Sequence, residues 1–177
     1  LALWAQGFEP LAGLDEAGRG AWAGPVCAGA VMLPRDGQVL ERLRGVRDSK
    51  QMSAKARENW AGRIKAEALR WGVGFASNDE IDEYGILPAT RMAMQRALEQ
   101  CGLQPAHLLI DAVRLPGLAV PQTALIKGDM RVLSIAAASV LAKTARDQLM
   151  VGLDTQFPGY GFARHKGYGT AVHQEAL

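Results

Sequence analysis

Acidic residues end three short apolar segments of this 177-residue chain. The segments LAGLD, LLID and ALIKGD end in Asp15, Asp111 and Asp129, and Glu16 follows Asp15 directly. The carboxyl ends of parallel strands line one crevice of an open α/β sheet, so neighbouring strands would bring these acids together. Clustered carboxylates repel one another and raise one another's pKa, so we expect such a cluster around cations.

The type of ligand indicates which cation would bind. Oxygen ligands favour hard ions such as Mg²⁺ or Mn²⁺, and no Cys or His stands at zinc-ligand spacing. The alternative is that each Asp only caps a turn, as Asp129 would before the helix that follows it. Three such positions together with an Asp-Glu pair favour the metal hypothesis.

A glycine loop follows the first acidic pair, where residues 15–20 read DEAGRG. Gly18 and Gly20 allow the strand to bend, so that Asp15 and Glu16 can face one site. They also leave backbone amides open to a phosphate or hydroxyl of a ligand. A simple turn is the alternative. Neither a Walker lysine pattern nor GxGxxG is present, so binding of a nucleoside triphosphate or dinucleotide is not supported.

Basic residues concentrate between positions 42 and 70. The nine basic residues are Arg42, Arg44, Arg47, Lys50, Lys55, Arg57, Arg63, Lys65 and Arg70, and the three acidic ones are Asp48, Glu58 and Glu67. The difference, 9 − 3 = +6, compares with 20 − 18 = +2 for the whole chain. The segment either faces a polyanion or forms a solvated helix face.

The stretch FPGYGFARHKGYGT near the C-terminus interleaves aromatic and basic residues. This composition suits stacking on sugars or bases beside phosphates, or else a surface loop anchored by its aromatic rings. His165 and His173 stand at no recognised spacing from a Ser or Cys nucleophile, so we expect polar contacts from them and no catalytic role.

Strands and helices alternate along the chain, and they must position these residues. Apolar segments predict strands over 11–15, 24–33, 71–76, 107–111 and 123–127. Helical spacing predicts helices from an N-cap at Ser53 to about Arg70, from an N-cap at Asn78 to Asp82, over 88–100 with Gly102 as the stop, and over 132–151. The pattern predicts an α/β domain with a mixed central sheet flanked by helices. The link 112–121 contains two prolines, so a parallel crossover there would lack an ordinary helix.

Composition predicts one globular domain over residues 1–177. The chain is 49% hydrophobic and 21% charged, which excludes a disordered tail, a collagen and a coiled coil, and no linker divides it. Two cysteines in apolar stretches predict buried thiols and a reducing cytoplasm. The longest uncharged apolar run, 132–142, is far shorter than the ~20 residues of a membrane span. No signal peptide is predicted, and we expect a cytoplasmic monomer.

The order and spacing of seven motifs resemble type 2 ribonuclease H, ribonuclease HII, over nearly every residue from 11 to 170. These motifs are GLDEAGRG (13–20), DSKQMS (48–53), IDEYGILPAT (81–90), LLID (108–111), IKGD (126–129), SIAAASVLAKTARD (134–147) and HKGYGT (165–170). The GRG triplet favours type 2 over the related type 3 enzymes.

The resemblance implies a ribonuclease H-like fold and hydrolysis of the RNA strand of RNA/DNA hybrids. It also implies cleavage 5′ of a single ribonucleotide embedded in duplex DNA, leaving a 3′-hydroxyl and a 5′-phosphate, as in ribonucleotide repair and RNA primer removal. By matching motifs, the resemblance implies that the metal-binding acids are Asp15, Glu16, Asp111 and Asp129. It implies that the loop that recognises the ribose 2′-hydroxyl is Gly18, Arg19 and Gly20. It also implies that Tyr168 stacks on a sugar and that Ser49 and Lys50 contact a phosphate. Two divalent ions about 3.5 to 4 Å apart would activate a water and stabilise the leaving oxygen, with Asp15 bridging both.

Two departures from the family pattern are present. Family members usually continue for some tens of residues past the HKGY region, so we expect the C-terminal part of the family domain to be missing after Leu177. Ala112 follows LLID where Gly is usual, and we expect this to be tolerated. Two rival hypotheses are a DNA-structure-selective nuclease that ignores the 2′-hydroxyl and a non-catalytic nucleic-acid-binding protein.

Overall fold

The computed structural model describes residues 2–46 and 49–177. Arg47 and Asp48, which belong to the basic segment and the DSKQMS motif, lie outside the described residues. Five strands form one sheet in the order β3-β2-β1-β4-β5. The strands are β1 (Leu11–Ala17), β2 (Val26–Met32), β3 (Arg70–Ala76), β4 (His107–Asp111) and β5 (Gln122–Leu125).

The direction of the strands changes at the centre of the sheet. β1 and β3 run antiparallel to β2, whereas β4 runs parallel to β1 and β5 runs parallel to β4. The predicted mixed sheet is therefore confirmed. The link 112–121 between the two parallel strands is fully described and contains no helix, as its prolines predict.

Helices cover both faces of the sheet. The helices of the described residues are α1 (Ala2–Ala5), α2 (Gly37–Arg42), α3 (Ala54–Glu67), α4 (Asn78–Tyr84), α5 (Ile86–Cys101), α6 (Leu133–Gln156), α7 (Phe162–His165) and α8 (Ala171–Glu175), with short 3₁₀ turns at Ser49–Gln51 and Gly128–Met130. The buried side chains of α5 pack against Ala12, Leu14 and Ile110 on one face. On the other face α6 packs against Val31, Leu11 and Leu109.

Local hydrogen bonds explain where the helices begin and end. Ser53 caps α3 by accepting from the Ala56 amide, as predicted. The helix ends at Glu67, before the expected Arg70, because the Leu69 amide donates to Met32 and the chain enters β3.

Three other boundaries also differ from the prediction. The N-cap of α4 is Ser77, because Ser77 and Glu80 form a reciprocal capping box; Asn78, the expected cap, is the first helical residue. α5 begins before Pro88, which the first turn of a helix tolerates. α6 continues to Gln156.

Glycines let both helices lie directly on the sheet backbone. A Cβ atom at Gly13 or Gly29 would lie 2.3 Å from the backbone of α6, and one at Gly72 or Gly74 would lie 2.1 or 2.2 Å from the backbone of α5. No larger residue fits at these positions without moving a helix. The predicted burial of Cys27 and Cys101 is confirmed, and both are free thiols. Among the described residues, no helix has the length and hydropathy needed to cross a bilayer.

Candidate active site at the carboxyl end of the sheet

Two of the acids lie side by side on neighbouring parallel strands. The register pairs Leu14 of β1 with Ile110 of β4, so the next position places Asp15 beside Asp111. Both belong to the alternating set that faces α6, as do Leu11 and Leu109, because side chains two apart on a strand share a face. β1 is the central strand of the sheet. The predicted meeting of strand-end carboxylates is therefore confirmed for this pair.

Asp15 is buried and held by hydrogen bonds. Its side chain is 5% exposed and accepts a bond of 2.8 Å from the Glu16 amide. Ser139 of α6 lies near enough to lower the pKa of Asp15, and the Ser139 and Ser49 hydroxyls lie 2.9 Å apart. Burial, followed by the charges of Glu16 and Asp111, raises the pKa of Asp15 from 3.8 to about 8, against the opposing effect of the hydrogen bonds. At neutral pH the carboxyl is therefore largely protonated in the metal-free protein.

Glu16 is engaged by the glycine loop. β1 continues regularly through Ala17, so the expectation that the strand ends or bends at the acidic pair is wrong. Arg19 donates to Oε1 of Glu16 at 2.8 Å, while Oε2 is buried and has no hydrogen-bond partner among the described residues. Burial raises the pKa of Glu16, and the contact with Arg19 lowers it. An arginine thus compensates part of the acidic charge, which the sequence analysis did not anticipate.

Asp129 lies on a turn next to Asp111. β5 ends at Leu125, so Asp129 lies in the 3₁₀ turn Gly128–Met130 that follows the strand. The Gly128 amide donates to Oδ1 of Asp111 at 2.8 Å, and Asp129 is 7% exposed. The turn that carries the fourth acid therefore adjoins Asp111.

The four acids occupy one region without converging on one point. The described residues contain no group of three or more His, Cys, Asp or Glu side chains that could hold a metal ion as they stand. Protein donors engage oxygen atoms of Asp15, Glu16 and Asp111, and metal binding by the four acids stays a prediction. The donor chemistry nevertheless fits a hard divalent cation. The unpartnered Oε2 of Glu16 and the raised pKa of Asp15 are both conditions that a cation would relieve.

A groove of about 500 Å³ lies beside Glu16. Its walls contain the whole of the predicted recognition set together with two further cations: Gly18, Arg19, Gly20, Ser49, Lys50, Arg57, Lys143 and Tyr168. Residues from four distant parts of the sequence thus share one groove. The groove reaches the acidic region at Glu16.

The two glycines of the loop differ in what surrounds them. Gly18 has φ +104°, and a Cβ atom there would lie 2.2 Å from Nε of Arg146. At Gly20 a Cβ atom would meet no protein atom within 4 Å. The fold itself therefore requires glycine at position 18. At position 20 the protein leaves open space beside the groove.

Tyr168 closes the groove on the side of α6. It forms an antiparallel bridge with Ala21, directly after the glycine loop. Two cations of α6 approach its ring: Nζ of Lys143 lies 4.8 Å and Cζ of Arg146 lies 5.2 Å from the ring centroid. Sequence reasoning missed both cations as site residues. Their spacing of three within the quoted SIAAASVLAKTARD motif, which places them on one helix face, was the available signal.

Ser49 and Lys50 have different environments. Ser49 is 3% exposed, and its hydroxyl is engaged with Ser139, so the predicted phosphate contact by its side chain does not suit this arrangement. Lys50 is exposed on the groove. Arg57 donates to the carbonyls of Ser49 and Met52 and also pairs with Asp147 of α6 at 2.9 Å. The turn that carries Lys50 is thereby fixed to α6.

Three of the described basic residues of the segment, Arg42, Arg44 and Arg57, form ion pairs within the fold. Arg42 pairs with Asp36 and Glu67, and Lys65 lies over the ring of Trp71. Among the described basic residues of the segment, Lys50 and Arg57 line the groove. The solvated-face interpretation therefore holds for most of the segment, and the polyanion interpretation is confined to these two residues.

The C-terminal aromatic residues pack mainly against one another. The rings of Tyr160 and Phe162 stack at 5.5 Å, and those of His165 and His173 stack at 4.3 Å. Both histidines are buried and hydrogen-bond to backbone carbonyls, His165 to Tyr160 and His173 to Tyr168. The expected polar contacts of the histidines are confirmed. This cluster supports the segment from which Tyr168 reaches the groove.

Comparison with known proteins agrees with this geometry. The family Ribonuclease HII matches residues 12–177. The ribonuclease HII of Chloroflexus aurantiacus is 57% identical over 173 residues, which cover 97% of this chain and 82% of that protein. The solved ribonuclease H2 from Pyrococcus horikoshii OT3 has a TM-score of 0.77 at 26% identity, covering 93% of this chain and 83% of that one. The RNase HII of Archaeoglobus fulgidus, solved in complex with PCNA, has a TM-score of 0.76 at 27% identity, covering 95% and 86%.

The sheet order and the acids at its carboxyl end define a ribonuclease H-like nuclease, a class that hydrolyses phosphodiester bonds. The chain belongs to the ribonuclease HII family. Its activity is that of a ribonuclease H, an endonuclease that acts on the RNA strand of RNA/DNA hybrids.

Proposed function

We propose that this ribonuclease H also nicks duplex DNA on the 5′ side of a single embedded ribonucleotide, leaving a 3′-hydroxyl and a 5′-phosphate. The observation that carries the proposal is the groove in which Gly20 and Tyr168 lie beside Glu16, with open space at the Gly20 backbone. A sugar at that position would meet main-chain donors and acceptors. We further propose that residues 1–177 form one catalytic domain and that the protein acts as a cytoplasmic monomer.

Discrimination between RNA and DNA would come from the backbone of the glycine loop. The 2′-hydroxyl both donates and accepts a hydrogen bond, so a loop offering both partners satisfies a ribose completely. A deoxyribose would leave buried polar groups of the loop unpaired, which costs about 1 to 3 kcal/mol per group. Tyr168 would stack on the following sugar and align the scissile phosphate. Loss of alignment lowers the rate more than the affinity.

The acids Asp15, Glu16, Asp111 and Asp129 would hold one or two divalent cations, Mg²⁺ or Mn²⁺. When bound, such cations supply Lewis-acid stabilisation of the phosphate and a nucleophilic water at neutral pH. Asp15 must lose its proton before it can act as a ligand, so apparent cation affinity should rise with pH toward about 8. Lys50 would contact a backbone phosphate, and Ser49 would support Asp15 through Ser139.

Two matched duplexes test the proposed substrate. One carries a single ribonucleotide in DNA, and the other has the same sequence in DNA only. We expect the protein to nick the first 5′ of the ribonucleotide in Mg²⁺ and to spare the second. Cleavage of both would favour the DNA-structure-selective nuclease, and cleavage of neither would favour the non-catalytic binding protein for this substrate.

Asp129→Asn tests the acidic site with the same duplexes. We expect it to abolish cleavage while the circular dichroism spectrum stays unchanged, because it removes a charged oxygen ligand but little volume. Asp82→Asn, at an exposed position on α4, is the control and should cleave normally. Turnover of Asp129→Asn close to that of the unmodified protein in saturating Mg²⁺ would remove Asp129 from the site.

Two substitutions of Tyr168 test whether this side chain aligns the scissile phosphate. Tyr168→Ala should lose much more cleavage rate than binding on the single-ribonucleotide duplex, and Tyr168→Phe separates the ring from the hydroxyl. An undiminished rate for Tyr168→Ala would show that the tyrosine only packs against Lys143 and Arg146.

A further inference from the structure

Arg146 is fully buried on α6 beneath the junction of two loops. Its side chain is 0% exposed. The three guanidinium nitrogens all donate to backbone carbonyls: Nε to Pro25 at 2.8 Å, Nη1 to Lys166 at 2.8 Å and Nη2 to Ala23 at 3.1 Å. Asp147, the next residue, is shared by Arg57 and Lys143 instead. Arg146 therefore binds main-chain atoms of two segments that are more than 140 residues apart in sequence.

The two segments are those that would recognise a ribonucleotide. Residues 23–25 follow the glycine loop, and Lys166 stands two residues before Tyr168. Arg146 also touches the recognition elements directly. A Cβ atom at Gly18 would lie 2.2 Å from Nε of Arg146, and Cζ of Arg146 lies 5.2 Å from the centre of the Tyr168 ring. One side chain thus contacts both sides of the groove.

The two segments also contact each other directly, and the Trp22 ring packs over Gly169 and against His173. Trp22 and Ala23 amides donate to the Gly167 carbonyl, and Ala21 bridges Tyr168. These are contacts between loops, whereas Arg146 connects both loops to a 24-residue helix that packs on the sheet. The planar fork of an arginine can donate in several directions at once, which the single ammonium of a lysine cannot do.

We propose that Arg146 is a positioning residue that holds the glycine loop and Tyr168 at the spacing a ribose needs, and that it thereby sets selectivity for a ribonucleotide over a deoxyribonucleotide. This inference rests on the proposed function. It assigns Arg146 no contact with substrate.

Binding to the two matched duplexes in EDTA, so that no strand is cut, tests the inference. The readout is the ratio of the Kd for the all-DNA duplex to the Kd for the single-ribonucleotide duplex. Arg146→Lys keeps the charge but loses the fork, and we expect the ratio to fall about tenfold, the effect of losing one hydrogen bond to the 2′-hydroxyl. Affinity for the all-DNA duplex should change much less.

Val140→Ala is the matched control, because Val140 is a buried residue of the same helix that packs in the core. It should lower stability without changing the ratio. A purely structural role of Arg146 would lower both affinities equally through a smaller folded fraction, and an unchanged ratio would overturn the inference. If the unmodified protein binds both duplexes equally, the inference fails, whereas the proposed function fails only if the protein does not nick the single-ribonucleotide duplex selectively.

A measurement on the unmodified protein applies even if Arg146→Lys does not fold. In a ¹⁵N-labelled sample the Nε–H of Arg146 should exchange slowly, because it is buried and bonded to Pro25. Its resonance should shift with the single-ribonucleotide duplex and shift less with the all-DNA duplex. A resonance that responds equally to both duplexes, or to neither, would contradict the positioning role.

Discussion

Replacing Asp15 with Asn should stabilise the metal-free protein, and the gain should depend on pH. The pKa of Asp15 is raised from 3.8 to about 8, chiefly by burial. The folded state therefore binds the proton more tightly than the unfolded state. The stabilisation that comes from this bound proton is fully present below about pH 4 and is lost as pH rises toward 8. Asn resembles the protonated carboxyl in shape and charge, so the variant escapes this loss.

The size of the effect follows from the pKa difference. About four pKa units at about 1.4 kcal/mol each give a ceiling of about 6 kcal/mol. Relaxation of the site and entry of water reduce the penalty of a buried charge. We therefore expect Asp15→Asn to gain at least about 2 kcal/mol over the unmodified protein between pH 5 and pH 9.

Urea unfolding in EDTA at pH 5, 7 and 9, followed by tryptophan fluorescence, measures this difference. Asp82→Asn, at an exposed position, should show no comparable pH-dependent gain. Addition of Mg²⁺ at pH 9 should stabilise the unmodified protein and affect Asp15→Asn less, because a ligand raises the stability of the state that binds it. A stability difference between Asp15→Asn and the unmodified protein that is equal at pH 5 and pH 9 would refute the burial argument.

Three further predictions concern the groove and its borders. Gly18→Ala should lower the free energy of unfolding in urea by several kcal/mol, because of the contact with Arg146 and the positive φ. Gly20→Ala should have a free energy of unfolding within about 0.5 kcal/mol of that of the unmodified protein but should cleave poorly. Normal cleavage by Gly20→Ala would show that the sugar does not lie against Gly20. Ala112 has φ +51°, so Ala112→Gly should raise the free energy of unfolding by up to about 1 kcal/mol. This gain is the relief of left-handed backbone strain minus the entropy that glycine adds to the unfolded chain. A loss of stability would contradict strain at this position. Lys50→Ala should reduce the slope of log Kd against log salt by about one, and an unchanged slope would show that Lys50 contacts no phosphate.

The strands and the placement of Asp15 and Asp111 could be predicted because each depends on a local pattern. Apolar segments bounded by Gly or Pro determine the strands, and a parallel register brings their acidic ends together. The structure also explains why glycine is usual in the family at the position of Ala112. The backbone there has a positive φ, which glycine adopts without strain.

The contacts of the site could not be predicted, because they depend on distant segments. The pair of Arg19 with Glu16 is the local exception, because the residues are three apart, but the sequence does not distinguish this pairing from a contact of Arg19 with a ligand. Ser49 is buried by Ser139, which lies 90 residues away. The sequence alone does not distinguish Arg146 from other charged helix residues, because its partners, the carbonyls of Pro25 and Lys166, are brought to it only by the fold. Metal binding by the acids was predicted from their positions at strand ends, whereas the hydrogen bonds that engage oxygens of Asp15, Glu16 and Asp111 are visible only in the structure.

The close contact of α5 and α6 with the sheet also limits how the enzyme can be stabilised by engineering. Replacing glycine with alanine usually adds stability by restricting the unfolded chain, but at Gly13 and Gly29 an added methyl group would push α6, and with it Ser139, away from Asp15. Gly62 on α3 and Gly152 on α6 have no atom within 4 Å of an added Cβ. Replacing Gly62 and Gly152 with alanine should therefore raise the free energy of unfolding by roughly 0.5 to 1 kcal/mol per site. The glycines between the sheet and the helices must stay unchanged.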